Sequence, residues 1–389
     1  MKIHRAFVAL IVLSWLAGCA TAPGPATEAG EPAAPATVAK AATPAPAIEP
    51  PSPLPAQPRP IRITLVGDIM LGGSASEFMQ RHGHDYAFAG VAAELARGDV
   101  VFGNLEGPLT DGGEAFPEKE YLFRTPPGKV APALAGAGFD VVSLANNHTL
   151  DYGITGLYDT LDALYDTGIR AVGAGADLER ARRAAIVEAG GHRVGFLAYS
   201  NTFPEAFWAE PERPGTAFGH LHQVRADVAA LRERVDTVVV SFHWGRESTT
   251  ELRPYQPLLA RGAIDAGASI VAGHHPHVLQ GIERYRDGVI LYSLGNFTFG
   301  SYSENARTSA IAHVTVDTDG PRTLELVPID VYNPEVLFRP VPLEGEAATA
   351  VAAHLAELSA PLSTSLQIDN GRAWLDLETP NARAATTEP

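Results

Sequence analysis

The sequence predicts an α/β protein. From Ile61 onward, short β-branched runs alternate with Ala/Leu-rich helical stretches. Polar, metal-capable residues fall just past the carboxyl ends of successive strands, the edge of an open α/β sheet where ligands bind. With 46% hydrophobic and 19% charged residues in 389, the chain can bury a sizeable core.

The first segment reads as an address. Lys2 and Arg5 form a basic region, and Ala6 to Leu16 is an apolar run too short to span a bilayer comfortably. Leu16-Ala17-Gly18-Cys19 follows, so residues 1–19 are expected to be a lipoprotein signal peptide that ends on a lipidated Cys19. Ala20 follows the cysteine where inner-membrane retention would call for Asp. The expected location is therefore across the inner membrane and lipid-anchored, on the periplasmic face of the outer membrane or the cell surface. Residues 20–60 are rich in Ala, Pro, Thr and Glu without apolar periodicity and read as a disordered linker. At roughly 3 Å per residue it could reach on the order of 100 Å.

The catalytic-type domain is expected over residues 61–340. Each predicted strand is followed by polar residues. Ile61–Val66 runs into Gly67-Asp68, Asp99–Phe102 into Gly103-Asn104-Leu105-Glu106, and Phe139–Leu144 into Ala145-Asn146-Asn147-His148. Thr237–Phe242 leads to His243-Trp244-Gly245, Ala268–Ala272 to Gly273-His274-His275-Pro276-His277, and Val289–Ser293 to Leu294-Gly295-Asn296-Phe297. Helices are expected at Gly156–Thr167, Gln223–Arg234 and Pro257–Ala266. Ser309–Tyr332 reads as a hairpin turning at Asp319-Gly320. Residues 341–389 are expected to add a helix at Ala347–Leu358, further strand and a disordered tail.

Net charge is −16, which excludes a basic nucleic-acid-binding face and repels anionic substrates unless local cations capture them. The single cysteine excludes an intrachain disulfide and a multi-cysteine zinc site. No G-x-S-x-G elbow and no phosphate-binding P-loop are present. Gly173-Ala174-Gly175 begins like a dinucleotide fingerprint, but Leu178 stands where the third glycine belongs. His82 and His84 lie in a mixed loop-helix stretch and read as structural.

Asp68, Glu106, Asn147, His243, His275 and His277 offer oxygen and imidazole donors that suit a hard or borderline divalent metal. Taken singly, Asp68 could cap a helix, Glu106 could be a solvated acid and His243 could be a packed core histidine. Their conjunction points to a metal centre, with His274 facing away or hydrogen-bonding. Two ions about 3.5–4 Å apart could activate water and clamp a tetrahedral or phosphoryl transition state. His148 could protonate a leaving group, with Asp151 orienting it and raising its pKa. The competing reading is an Asx-type turn in which these side chains bind only backbone.

The motifs resemble the CapA family of poly-γ-glutamate capsule synthesis proteins, in the calcineurin-like metallophosphoesterase superfamily. They are GDIMLGG at 67–73, GNLEGPLT at 103–110, FRTPP at 123–127, FDVVSLANNHTLDYG at 139–153, SFHWGRE at 241–247, GHHPHVLQG at 273–281 and YSLGNFTF at 292–299. The resemblance implies a metallophosphoesterase-like αββα sandwich with mixed sheets, the C-terminal strands adding to a second sheet. It implies metal ligation by Asp68, Glu106, Asn147, His243, His275 and His277, with Glu106 bridging, and catalysis by His148 and Asp151. Asn104, Arg246 and Asn296, in the same motifs, are expected to bind substrate. The superfamily's Asp-x-His motif is here Asp68-Ile69-Met70, without the histidine.

The implied cofactors are divalent ions, two of them, drawn from Mn, Fe or Zn. The implied function is synthesis, export or processing of a cell-envelope polymer of poly-γ-glutamate type by a metal-dependent hydrolase site. Alternatives are a non-catalytic polymer-binding or synthase-scaffolding lipoprotein and an envelope phosphoesterase. The expected partners are an anionic polymer or phosphoester substrate, a membrane through the lipid anchor, and a membrane polymer synthase, with no nucleic acid.

Overall fold

The computed structural model describes residues 58–378, so the signal peptide, Cys19, nearly all of the linker and the tail lie outside the described residues. Among the described residues no helix is long and apolar enough to cross a membrane.

Two mixed β-sheets pack face to face, and helices cover their outer faces. The larger sheet has ten strands and the smaller has six. Strand Ile61–Met70 is the spine of the larger sheet, parallel to Val100–Leu105, which is followed outward by Val141–Ser143 and Arg170–Val172. The smaller sheet is centred on the parallel strands His192–Ser200, Thr237–His243, Ile270–His274 and Gly288–Leu291. Antiparallel strands Ala185–Ala189 and Ile282–Tyr285 close its edges.

The inner faces carry the apolar residues that strand periodicity places on one side. Ile63, Leu65 and Phe102 of the larger sheet meet Phe196, Val239 and Ile270 of the smaller one in a single buried cluster. Phe102 and Phe196 stack across the interface at 5.4 Å between ring centroids. Helices Pro127–Gly136 and Gly153–Asp166 place Val130, Leu134, Leu157 and Leu164 on the outer face of the larger sheet. Helices Leu221–Arg232 and Tyr255–Asp265 place Val224, Val228, Leu259 and Ala263 on that of the smaller. This is the αββα arrangement the sequence predicts.

The C-terminal strands correct one expectation. The hairpin Thr308–Asp317 and Gly320–Asp330 extends the larger sheet, antiparallel to Ile61–Met70, rather than adding to the other sheet. Arg372–Asp376 and Gln367–Asp369 continue it outward. The cause lies in Ile61–Met70, whose first half offers its free edge to Thr308–Asp317 while its last three residues pair with Asn296–Phe299. Helix Gly345–Ser359 then sends Val351, Ala352 and Leu355 into the inter-sheet cluster, covering the apolar surface at that flank.

Candidate metal centre

The carboxyl ends of the parallel strands from both sheets converge on one locus. The larger sheet brings Asp68, within Ile61–Met70, and Glu106, just past Val100–Leu105. His243 is the last residue of Thr237–His243, and His275 and His277 follow Ile270–His274. Asn147 and His148 follow Val141–Ser143.

Local backbone aims these groups. The pairing register shifts at Asp68, where the chain leaves one strand partner for another. Gly67 permits this, since a Cβ there would lie 1.9 Å from the Gly295 carbonyl oxygen. His275 and His277 both hold positive φ, 92° and 59°, on either side of Pro276. Non-glycine residues held there cost on the order of 1–3 kcal/mol each, and such strain concentrates at functional sites.

Two donor sets share one carboxylate. Glu106, His243 and His275 place one donor atom each within 4.8 Å of one another, and so do Asp68, Glu106 and His277. Asn147 Oδ1 lies 2.8 Å from His243 Nε2, which brings it to the first set. Asp68 and Glu106 are fully buried, and Glu106 Oε1 accepts no hydrogen bond. Asn104 Nδ2 donates to Asp68 Oδ1 at 2.8 Å and to Glu106 Oε2 at 3.2 Å, so it orients both carboxylates. Asn296 Oδ1 lies 2.9 Å from His277 Nδ1. Asn104 and Asn296, expected to bind substrate, thus touch the carboxylates and His277 directly. Arg246 is exposed on the loop, and among the described residues no hydrogen bond or ion pair holds it. His274 is buried behind the site with Nδ1 3.5 Å from Asp68 Oδ1.

The electrostatics of this donor set call for cations. Burial raises the Glu106 carboxyl well above its usual range, and the neighbouring Asp68 adds to that. Burial pushes Asp68 the same way, but His274 and His277 overcome it and hold Asp68 well below the usual range. Burial lowers His277, yet Glu106, Asp68 and Glu247 lift it to about 9. His275 is lowered to about 3 by burial and by His277. Burial also holds His243 well below its ordinary value. Two buried carboxylates, the neutral imidazoles of His243 and His275, and a His277 imidazole whose proton an ion would displace fit divalent ions in chemistry and in charge.

The second half of the locus is a proton-handling group. His148 Nδ1 lies 2.7 Å from Asp151 Oδ2, and the Phe123 ring packs 4.4 Å from the imidazole. The Asx-type turn is made by the neighbouring Asn146, whose Oδ1 accepts from the His148 N–H and from the Thr149 hydroxyl. The predicted rise in the His148 pKa is corrected. Asp151 does raise it, but burial outweighs Asp151, and Lys119 and His277 push further down, so the imidazole is lowered.

Sequence reasoning missed three residues. Lys119 donates to Asp151 Oδ1 and to the Asn147 carbonyl, both at 2.5 Å. It arrives from the irregular stretch between Thr110 and Thr125, where no strand end flags it. Asn146 bonds Asn104 Oδ1 at 3.1 Å and the Leu105 carbonyl at 2.8 Å, tying adjacent strand ends together. Glu247 lies with His275 and His277 in a third cluster of donors within 4.8 Å. Its motif was visible in the sequence, but its role was not.

The family profile described as bacterial capsule synthesis protein PGA_cap matches residues 62–301. Capsule biosynthesis protein CapA of Bacillus anthracis is 34% identical over 279 residues, covering 70% of this chain and 68% of that protein. PGA biosynthesis protein CapA of Bacillus subtilis (strain 168) is 31% identical over 317 residues, covering 81% and 82%. Among solved structures, the calcineurin-like phosphoesterase YfkN from Bacillus subtilis aligns with a TM-score of 0.39 at 14% identity, covering 66% of this chain and 85% of that one. With its profile match spanning well over half of the chain, and with relatives above 30% identity along most of their length, the protein belongs to the bacterial capsule synthesis PGA_cap family.

Proposed function

We propose that the protein is a metal-dependent hydrolase or transferase of the cell envelope, acting in synthesis or processing of an anionic polymer of poly-γ-glutamate type. The names of the two CapA relatives support the process. The observation that carries the chemistry is the sharing of Glu106 between two donor sets, with the His148–Asp151 pair beside them. Asp68, Glu106, Asn147, His243, His275 and His277 would hold two divalent ions, Mn, Fe or Zn. Divalent ions so held supply Lewis acidity toward a phosphoryl or carbonyl oxygen and lower the pKa of water.

The chain's own residues do the rest. Asn104 and Asn296 fix the carboxylates and His277, so that the donors need little reorganisation. Asp151 takes the Nδ1 side of His148, which leaves Nε2 to hold the proton for the leaving atom. At rest burial keeps this imidazole neutral. An anionic substrate beside it favours the protonated form, so proton uptake accompanies binding. Lys119 donates to Asp151 Oδ1 and lies 3.0 Å from His148 Nδ1, so it holds the pair from the Nδ1 side. The lipid anchor at Cys19 and the linker would set the domain away from a membrane, at the periplasmic face of the outer membrane or the cell surface.

The test is a hydrolysis screen of the metal-loaded chain on phosphoesters and γ-glutamyl peptides. Turnover of γ-glutamyl amides that stops on chelation supports the reading. Turnover of phosphoesters alone would instead make the protein an envelope phosphoesterase. Polymer binding with neither activity would make it a binding or scaffolding protein.

A further inference from the structure

The two donor sets that share Glu106 are unequal. The first has Glu106, His243 and His275, with the Asn147 side-chain Oδ1 beside His243. The second has only Asp68, Glu106 and His277. Resting on the dimetal reading above, we propose that Glu247 completes the second set, making it an oxygen-rich position that takes manganese more readily, relative to zinc, than the histidine-rich first set does.

The backbone places Glu247 for this. Strand Thr237–His243 ends at the site, and Gly245 (φ 86°) and Ser248 (φ 56°) then turn the chain sharply on either side of Arg246-Glu247. The turn is pinned at three points. Trp244 N–H donates to the His274 carbonyl at 3.1 Å, and Gly245 N–H donates to the Tyr255 hydroxyl at 2.8 Å. Ser248 N–H donates to the carbonyl of Pro276 at 2.8 Å, and Pro276 lies between the two site histidines. The loop bearing Glu247 is therefore stitched to the loop bearing His275 and His277. The Glu247 carboxylate falls within 4.8 Å of a ring nitrogen from each.

A rim glutamate alone would be an ordinary solvated acid. Here a second observation points to an ion. Glu106 Oε1 is fully buried and accepts no hydrogen bond, and it lies 3.7 Å from both His277 Nε2 and His243 Nε2. The set Asp68, Glu106, Glu247 and His277 supplies three carboxylates and one imidazole. The set Glu106, Asn147, His243 and His275 supplies one carboxylate, one amide oxygen and two imidazoles. Carboxylate-rich sites suit manganese, whereas imidazole suits zinc. Because Glu247 is exposed, it can ligate without the desolvation that a buried third carboxylate would suffer.

The experiment is a Mn²⁺ titration of the full chain, read by the EPR signal of free and bound Mn²⁺, on wild type, Glu247→Gln and Glu247→His. Outer-shell changes already cost about 10–100-fold in metal affinity, so loss of a direct ligand is expected to weaken one Mn²⁺ by about a hundredfold or more. The other ion should stay tight, and the signal should change from a spin-coupled pair to an isolated ion. Glu247→His should regain the second ion and favour zinc over manganese there. Two equally tight ions in Glu247→Gln, or loss of both together, would overturn the proposal. Wild type that binds no ion would overturn this proposal and the hydrolase reading alike. Two ions without turnover would sink the hydrolase reading and leave Glu247 as a ligand.

Discussion

The hydrogen bond from His148 to Asp151 divides the imidazole into a held nitrogen and a working one. A general acid contributes typically about 10²–10⁴-fold to rate. His148→Ala is therefore expected to cut turnover by about that factor on substrates with poor leaving groups, and by much less on an activated aryl ester. Its metal content should match wild type, because Asn147 and the other donors remain. Equal losses on both substrates would contradict the role, and loss of metal would make His148 a ligand instead. The placing of Asp68, Glu106, Asn147, His243, His275 and His277 at one locus was legible because each follows a recognisable strand. Lys119 was not, because it reaches Asp151 from an irregular segment that carries no periodicity. The lowered His148 pKa was not legible either, since burial depends on packing that no local pattern encodes.

At the scale of elements, the site depends on how closely strand ends approach. Asp68 N–H bonds the Gly295 carbonyl at 3.1 Å, and a Cβ at Gly67 would sit 1.9 Å from that same oxygen. Gly67→Ala must push strands Ile61–Met70 and Asn296–Phe299 apart. The expected cost is about 1–3 kcal/mol or more, read as a lower midpoint in denaturant, together with weaker metal binding because Asp68 moves. Unchanged stability and metal affinity would show that the strand pair tolerates the separation.

Strand and helix existence was readable from alternation and from Ala/Leu-rich runs. Helix Gly153–Asp166, expected at Gly156–Thr167, begins three residues early because Gly153 takes positive φ at the turn after Tyr152. Strand His192–Ser200 went unread, since Gly195 and Ala198 interrupt its β-branched pattern, yet it is an interior strand of the smaller sheet, between Thr237–His243 and the edge strand Ala185–Ala189. The hairpin was read, but the sheet it joins was not, because only the edge left free by Ile61–Met70 decides that.

For the whole molecule, a half-buried charge network ties the C-terminal strands to the N-terminal half. Glu94 bonds Arg97 and Arg372, both arginines bond Glu325, and His313 links Glu94 to Thr64. The His313 hydrogen bond, aided by Arg97 and Arg372 against burial, lowers Glu94 from 4.5 to about 2. Burial holds His313 below its ordinary 6.5 despite Glu94. Both folded-state values are depressed, so the unfolded chain binds more protons as pH falls. Their stabilisation is full above about pH 6.5 and is lost progressively as pH drops through 4.5 towards 2. Thermal midpoints should fall from pH 7 to pH 4. Glu94→Gln should be less stable at pH 7 and show a smaller drop. A midpoint flat across that range would exclude the network as the source. The proposed anchor belongs to this scale too. Cys19→Ala should release the protein from the membrane fraction, and an unchanged distribution would contradict lipidation.

The central claim is that strand ends from both sheets build a centre for two divalent ions. The direct measurement is metal content after loading with Mn²⁺, Fe²⁺ or Zn²⁺ and desalting, for wild type and for His275→Ala combined with His277→Ala. The account predicts about two ions per wild-type chain and loss of most of that metal in the double variant, with the fold retained by circular dichroism. Wild-type protein that stays metal-free with every ion, or a double variant that holds as much metal as wild type, would contradict it.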